Sequence, residues 1–360
     1  MGPASQYRGN RTNVRIIDGR ARTLIPGLMD CHVHYSSPGG PDWIARFQDP
    51  LPELSIRSIE LAETSLRSGV TTARDVGAPH NVNIRLARLA KAGEIKSPNI
   101  HAAGSWIAYR GTYVPFVRHF GDANELRDAI KEQIEAGADL IKVALGPWNE
   151  GSRPENSPEI PFDEKLLAIA VQEAHRARFK IACHANDATS CRVAARAGVD
   201  SLEHGMFLQT DDLQAMARNH TFLVPTMSVW DAMQYYARAV DWPEARKKRA
   251  DDLRENSRKA VSTAIREGVQ MALGTDAGGG AARHGRIARE AELMVEAGMN
   301  PMDALLSGTS NAAKLIGETE RGTIETGKIA DLVLLDENPL ENMDALRLVA
   351  AVFQSGRRVA

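Results

Sequence analysis

Eight short runs rich in apolar and β-branched residues alternate along this chain with stretches of helical period, and no other feature restricts the fold as much. The runs are "GLMDCHVH" (27–34), "VTTARDV" (70–76), "NIHAAG" (99–104), "DLIKVAL" (139–145), "KIACH" (180–184), "DSLEH" (200–204), "TFLVPT" (221–226) and "VQMALGTD" (269–276). Between them lie amphipathic segments such as "DANELRDAIKEQIEAG", where Asp122 and Glu125 have the spacing of a capping box and Gly137 marks the stop. Eight β–α units in series predict an α/β fold, a TIM-like (β/α)8 barrel over 27–318. A doubly wound open sheet would also alternate, but no G-x-G-x-x-G follows the first run. Past residue 318 the texture changes to short β runs broken by Gly and Pro. Residues 319–360, joined by 1–26 through "NVRIIDGRARTLIPG", are expected to build a small β-sandwich. Two stretches, 105–122 and 146–161, read as long loops on the face where barrel enzymes carry their sites.

Bulk properties exclude several classes. The 360 residues carry a net charge of −2, without the basic patches of a nucleic-acid or acidic-lipid surface. No apolar run approaches the roughly 20 residues of a membrane span, and the N-terminus has no apolar signal region. Three cysteines, Cys31, Cys183 and Cys191, are too few for a disulfide framework and fit a reducing, cytoplasmic compartment. The N-x-T triplets at Asn10 and Asn219 read as chance in that setting.

The polar residues at the strand ends carry the chemistry. His32 and His34 close the first run, one residue apart, so in a strand both face the same side. Two imidazoles on one face can grip a metal ion. Lys142 interrupts the fourth run, His184 ends the fifth, His204 the sixth and Asp276 the eighth. Each has an ordinary reading alone: a hydrogen-bonded strand-end His, a helix-capping Asp, a snorkelling Lys. Together they are six polar side chains from five strands whose ends a barrel brings to one mouth. A Lys in an apolar strand shifts its pKa readily, and its neutral amine can take up CO2 as a carbamate whose two oxygens can bridge two metal ions. Cys31 and Cys183 each precede a His, so strand parity points them to the helix layer as small apolar residues. His80, His101, His175 and His220 read as packing or surface residues.

These stretches resemble the metal-dependent amidohydrolase superfamily, in its imidazolonepropionase-like and prolidase-like branch. The matching text is "TLIPGLMDCHVHY", "SGVTTARDVG", "AGADLIKVAL", "EAHRARFKIACHA", "AGVDSLEHG", "VPTMSV", "LGTDAG", "HGRIAREAELMVEAGM", "SGTSNAAKLIG" and "GTIETGKIADLVLLDENPL", covering about residues 14 to 359. The resemblance implies a site with one or two metal ions, commonly two Zn2+. His32, His34 and Asp276 would hold one ion, His184 and His204 the other, with carboxylated Lys142 bridging. It also implies a homo-oligomer. Two departures stand out: the segment ahead of "LIPG" is short for a complete sandwich, and 105–122 lacks the Gly-Gly-His-type loop frequent in relatives.

The implied activity is hydrolysis of an amide C–N bond in a dipeptide or N-acyl amino acid. Metal-activated hydroxide would attack, with Asp276 as general base and then acid. Lys142 and His204 are assigned with it to the catalytic centre. Alternatives keep the barrel and change the bond (a cyclic amide, carbamate, mycotoxin amide, lactone, phosphoester or deaminated ring), use one metal ion, or discard catalysis for a scaffold. Lys142 argues against a deaminase, and the full set of ligands against a scaffold. Candidate substrate contacts are Tyr35, Tyr109, Arg110, Arg283 and His284, with Tyr113, His119 and Trp148 on the same loops. Among them an Arg could pair a substrate carboxylate in bidentate fashion.

Overall fold

The computed structural model describes residues 16–146 and 161–360; Asn10 and Trp148 lie outside them. Its strands are β1 (Thr23–Pro26), β2 (Leu28–Val33), β3 (Val70–Asp75), β4 (Asn99–Ala102), β5 (Ile107–Tyr109), β6 (Arg118–Phe120), β7 (Leu140–Ala144), β8 (Lys180–Ala185), β9 (Ser201–His204), β10 (Phe222–Val224), β11 (Leu332–Leu335), β12 (Val349–Gln354) and β13 (Arg357–Arg358). The helices that matter below are α1 (Trp43–Arg46), α2 (Leu51–Arg67), α3 (Val82–Ala92), α4 (Ala123–Ala136), α5 (Glu164–Arg176), α6 (Ala188–Arg196), α7 (Thr210–Asn219), α8 (Met227–Ala239), α9 (Glu244–Arg266), α10 (Ile287–Glu296), α11 (Pro301–Ser307) and α12 (Ser310–Ile316).

Seven expected barrel strands form parallel ladders, β2–β3–β4 and β7–β8–β9–β10. The two arcs meet where Asp139 N donates to Ala102 O at 2.8 Å. The eighth stave, 269–277, is not a continuous strand: it touches its neighbours through two isolated parallel bridges, Leu223 with Met271 and Val33 with Ala277. Closure still holds, because Cys31 N donates to Leu273 O (2.8 Å), Asp276 N to His32 O (2.7 Å) and His34 N to Ala277 O (2.8 Å). Asp30 pins the same seam: its carboxylate accepts from Thr275 N (3.0 Å), Thr275 Oγ1 (2.7 Å) and His32 N (3.2 Å).

Local signals act as their chemistry requires. Asp122 caps α4, accepting from Asn124 N and Glu125 N. Glu125, however, reaches back to Gly121 N at 2.6 Å, one residue beyond the cap itself. Gly137 ends that helix in the left-handed region, with φ 93°. Cys31 packs outward with Ala312, Ala313 and Leu315 of α12, and all three cysteines are free and buried.

One expectation changes. The 105–122 stretch is not simply a loop: β5 and β6 pair in parallel there, and β5 extends the ladder beside β7. Its Ile107, Ala108 and Phe120 are buried, so apolar content recruits the segment into the sheet. In the small sheet, order β1–β11–β12–β13, the stretch ahead of the barrel supplies one described strand, Thr23–Pro26, antiparallel to β11. Among the described residues no helix is long and apolar enough to cross a membrane.

A partly buried acid ties the barrel to the chain leading into that sheet. Glu318, just after α12, accepts from Asn99 Nδ2 (3.2 Å) and Arg321 Nη1 (2.9 Å) and pairs with His101 Nε2 (3.0 Å). The hydrogen bond from His101, with Arg321 behind it, outweighs burial and holds the Glu318 carboxyl down at about 2. A carboxyl depressed by folding stabilises above its unfolded pKa, near 4.3, and loses that contribution as pH falls toward 2. Glu318→Gln is therefore expected to lower the urea midpoint at pH 6 to 7, with the gap from the parent narrowing below pH ~4.5. A gap that does not change with pH in urea titrations would refute this.

Candidate metal centre

The interior of β2, β3, β7, β8 and β9 is polar where a barrel core would ordinarily be apolar. Strand alternation turns Asp30 and His32 of β2 inward, with Arg74 of β3, Lys142 of β7, His184 of β8, and Ser201 and Glu203 of β9. All are buried, Lys142 and His32 at 1% exposure. Of these, His32, Lys142 and His184 line the floor of a cavity of about 700 Å³ together with His34, His204 and Asp276.

Three of the rings have one nitrogen committed and one free to face the cavity. His32 Nδ1 bonds Glu203 Oε2 (2.7 Å), His34 Nδ1 bonds Gly77 O (2.8 Å), and His204 Nδ1 bonds Thr226 Oγ1 (2.7 Å). A hydrogen bond at Nδ1 fixes tautomer and ring plane and leaves Nε2 as a lone-pair donor. His32 Nε2 and His34 Nε2 lie 3.4 and 3.3 Å from one oxygen, Asp276 Oδ1. The ring centroids of His184 and His204 are 4.6 Å apart, and those of His32 and His204 5.1 Å. Among the described residues, His32, His204 and Asp276 form a group that could hold a metal ion, with ligand atoms all within 4.8 Å of one another. The resemblance grouped His32 with His34 instead; both rings reach Asp276.

Glu203 organises the floor. Its Oε1 accepts from Arg74 Nη2 (2.8 Å) and from Ser201 Oγ; Arg74 Nε also donates to Cys31 O (2.6 Å) and Nη1 to Ser201 Oγ (2.9 Å). Burial works to raise the Glu203 pKa, but Arg74, then Lys142, outweigh it and keep the carboxyl below the usual range. Burial, reinforced by the Lys142 charge, pushes His32 and His184 well down; burial and the neighbouring rings do the same for His204. Neutral imidazole is the form that binds a metal ion. Burial also pushes the Lys142 amine down to about 8.

Three buried polar atoms here have no hydrogen-bond partner among the described residues: Lys142 Nζ, His184 Nε2 and Asp276 Oδ1. Unpaired buried polar atoms are costly and rare, so three at one point mark a place built for something else. An amine, an imidazole and a carboxylate oxygen, with the Nε2 atoms of His32, His34 and His204 beside them, fit divalent metal ions. Three residues around this point hold the left-handed backbone: His204 (φ 72°), Thr226 (φ 49°) and Asp276 (φ 52°). Such strain in non-glycine residues concentrates where a side chain must be aimed.

The walls come from loops after the strands. Trp43 and Phe47 follow β2; Trp106, Tyr113 and Phe116 follow β4; Trp230, Met233, Trp242, Arg246, Arg249 and Leu253 belong to the α8–α9 hairpin. Of the five tryptophans in the sequence, four line this one cavity, and the fifth, Trp148, lies outside the described residues. Trp106 packs on the His34 ring, centroids 5.0 Å apart. Tyr113 stands edge-on to His184 at 5.1 Å, and burial raises its hydroxyl pKa, so it stays protonated.

Of the expected substrate contacts among the described residues, Tyr113 lines the cavity and the others do not. Tyr35 is fully buried behind β2, stacked on His284 at 5.1 Å, because it sits one residue out of phase with His34. His284 bonds Ser37 O (3.0 Å). Tyr109 packs edge-on to Phe120, and Arg110 is a surface partner of Glu125. Arg283 donates to Tyr236 OH (2.9 Å) beside a second cavity, where α8 and α10 meet the small sheet. His119 lies on β6, away from the metal-facing rings. The sequence reading missed Arg74 and Glu203, although a charge inside an apolar strand was the signal it used for Lys142. It also missed the tryptophans, which share no sequence spacing.

Comparison with known proteins comes to the same place. A sequence model of the Amidohydrolase family matches residues 23–359. Ochratoxinase from Aspergillus niger is 27% identical over 374 residues, covering 94% of this chain and 76% of that protein. Imidazolonepropionase from Symbiobacterium thermophilum is 25% identical, covering 96% of this chain and 83% of its own. The crystal structure of a Xaa-Pro dipeptidase with methionine bound in its active site superposes with a TM-score of 0.86, at 29% identity and 98% coverage of this chain, 90% of that one.

Glu203 offers a direct test of the floor. Glu203→Gln keeps the volume but has only one oxygen to share between His32 and Arg74. Loss of such a supporting hydrogen bond typically costs ~10–100-fold in metal affinity, and that drop is expected for Zn2+ in competition with a chromogenic chelator. Unchanged affinity would show that His32 is held by packing alone.

Proposed function

The chain belongs to the Amidohydrolase family and is a hydrolase, and from that premise we propose that it cleaves the amide C–N bond of a dipeptide or N-acyl amino acid with divalent metal ions held at the floor of the cavity. The observation that carries this reading is the cluster of unpartnered buried atoms, Lys142 Nζ, His184 Nε2 and Asp276 Oδ1, facing the rings of His32, His34 and His204. In this reading His32, His34 and Asp276 would hold one ion and His184 and His204 the second, with Lys142, as its carbamate, a ligand available to both. The carbamate would form when the amine, having shed its ammonium proton, bonds its nitrogen to the carbon of CO2 and gives up a second proton. That would turn a buried unpaired cation, a costly group, into an anion suited to divalent ions.

Bound divalent ions supply a low-pKa water at neutral pH and polarise the scissile carbonyl. The remaining steps belong to the chain. Asp276, among the described residues the one carboxylate within reach of both His32 and His34, would take the proton of the attacking water and pass it to the departing amine. Tyr113, kept protonated by burial, presents a hydroxyl donor beside His184. The aromatic walls exclude water, so each charge interaction at the floor is stronger than in solvent. The names of the relatives agree with an amide as substrate: one is a dipeptidase with an amino acid in its active site.

A single-ion centre is the second reading, favoured by the compact group His32, His204 and Asp276. Elemental analysis separates the two: about two ions per chain after loading with Zn2+ and bicarbonate supports the bridged site, one ion the compact group. Asp276→Asn and Lys142→Ala are each expected to lower hydrolysis of a dipeptide and N-acyl amino acid panel by about 10²–10⁴-fold, the span of a positioned acid–base group. Full activity in Asp276→Asn would end the assignment of the proton transfer, and full activity in Lys142→Ala the bridged site.

A further inference from the structure

The cavity is much richer in aromatic surface than a small dipeptide needs, and its charge is unevenly placed. Above the floor its charged lining groups are Arg246 and Arg249 on α9 and Asp42 after β2. Arg246, Arg249, Ala250 and Leu253 recur at helical spacing, so one face of α9 carries two guanidinium groups at the rim and apolar side chains below them. The Arg246 guanidinium carbon lies 5.1 Å from the Trp242 ring centroid, which steadies it over the cavity. Among the described residues it makes no ion pair. Arg283, the arginine that sequence position favours, is turned away toward Tyr236.

A cavity of about 700 Å³ lies within the ~300–1,000 Å³ span that buries a drug-sized ligand. Tryptophan faces accept large flat apolar groups, and a guanidinium at the rim reads a carboxylate by paired charge-assisted hydrogen bonds. Resting on the amide-hydrolase reading above, we propose that the substrate class is an N-acylated amino acid bearing a large aromatic group. Its free carboxylate is read by Arg246, and its aromatic part is seated between Trp106, Trp230 and Trp242.

The test uses the full-length, metal-loaded enzyme with N-benzoyl-phenylalanine, its carboxamide and N-acetyl-alanine. The unaltered enzyme is expected to prefer the benzoyl acid over both. In Arg246→Met the ratio of kcat/KM for acid over carboxamide should fall ~10–100-fold, the range for a hydrogen bond to a charged group, and Arg246→Lys should restore part of it. Binding gives a readout independent of turnover. Quenching of tryptophan fluorescence in metal-free protein should show tighter binding of N-benzoyl-phenylalanine than of its carboxamide, a difference lost in Arg246→Met. Equal kcat/KM for acid and carboxamide, or a ratio unmoved in Arg246→Met, overturns the role of Arg246. Equal efficiency on N-acetyl-alanine overturns the aromatic preference. Failure to hydrolyse any amide would instead bring down the underlying hydrolase reading, and this inference with it.

Discussion

The ion pair between Arg74 and Glu203 is the interaction on which the rest of this site depends. It joins β3 to β9 across the barrel interior, with both side chains at 3% exposure or less. A buried charge is tolerable only when paired and hydrogen-bonded, and removing one partner strands the other at a cost of ~3–5 kcal/mol. Here every strong acceptor of Glu203 is used, by Arg74, Ser201 and His32. The same carboxylate that neutralises Arg74 orients the His32 ring and, at longer range, opposes the burial that depresses the Lys142 amine. One buried pair thus sets the tautomer of a ring, the field at a lysine and the spacing of two strands.

Around that floor the barrel and its loops divide the work. The strands are short and stiff, and they place ring nitrogens and carboxylate oxygens to within a few ångströms. The loops after β2, β4 and β10 place bulk: aromatic rings that keep water away and, on α9, a positive rim. Glu290 of α10 fixes the wall to the floor. It accepts from Met227 N (2.8 Å) and Ser228 N (2.6 Å), capping α8 from another helix. The residue before that cap is Thr226, whose hydroxyl holds His204. A shift in the α8 wall therefore moves a ring on the floor, which couples recognition of a bulky group to the geometry of the centre.

The sequence made the barrel and the floor legible because both rest on periodicity. The eight-fold alternation located every stave, and strand parity put His32 and His34 on the inner face and Cys31 on the outer. Parity could not reveal that Glu203 and His204, adjacent in sequence, both serve the interior. The positive φ of His204 turns its side chain away from strand alternation. The substrate contacts failed for a related reason: nearness to a strand end predicts the mouth, not the direction of a loop. Tyr35 is next to His34 and buried behind it, and Arg283 follows the Gly run and turns outward. The walls depend on helices α8 and α9, whose cavity faces are fixed by packing between distant segments.

The irregular eighth stave shows how closely fold and site are linked. A regular strand over 269–277 would send Asp276 along the period-two alternation with its backbone in the β region. Instead the ladder is reduced to two bridges, Asp276 adopts φ 52°, and its carboxylate stands 3.3–3.4 Å from two imidazoles of β2 and the residue after it. The lost ladder bonds are replaced by side chains. Asp30 takes the Thr275 amide and hydroxyl, and Thr275 Oγ1 in turn accepts from Ala277 N at 3.1 Å. Glycine supplies the remaining room: a Cβ on Gly274 would meet His32 Cβ at 2.8 Å, and one on Gly279 would meet Asp276 Oδ1 at 2.0 Å. The "LGTDAGGG" run thus reads as one device, in which an acid one strand away, a threonine and two glycines let a barrel stave break so that a single carboxylate can face the rings.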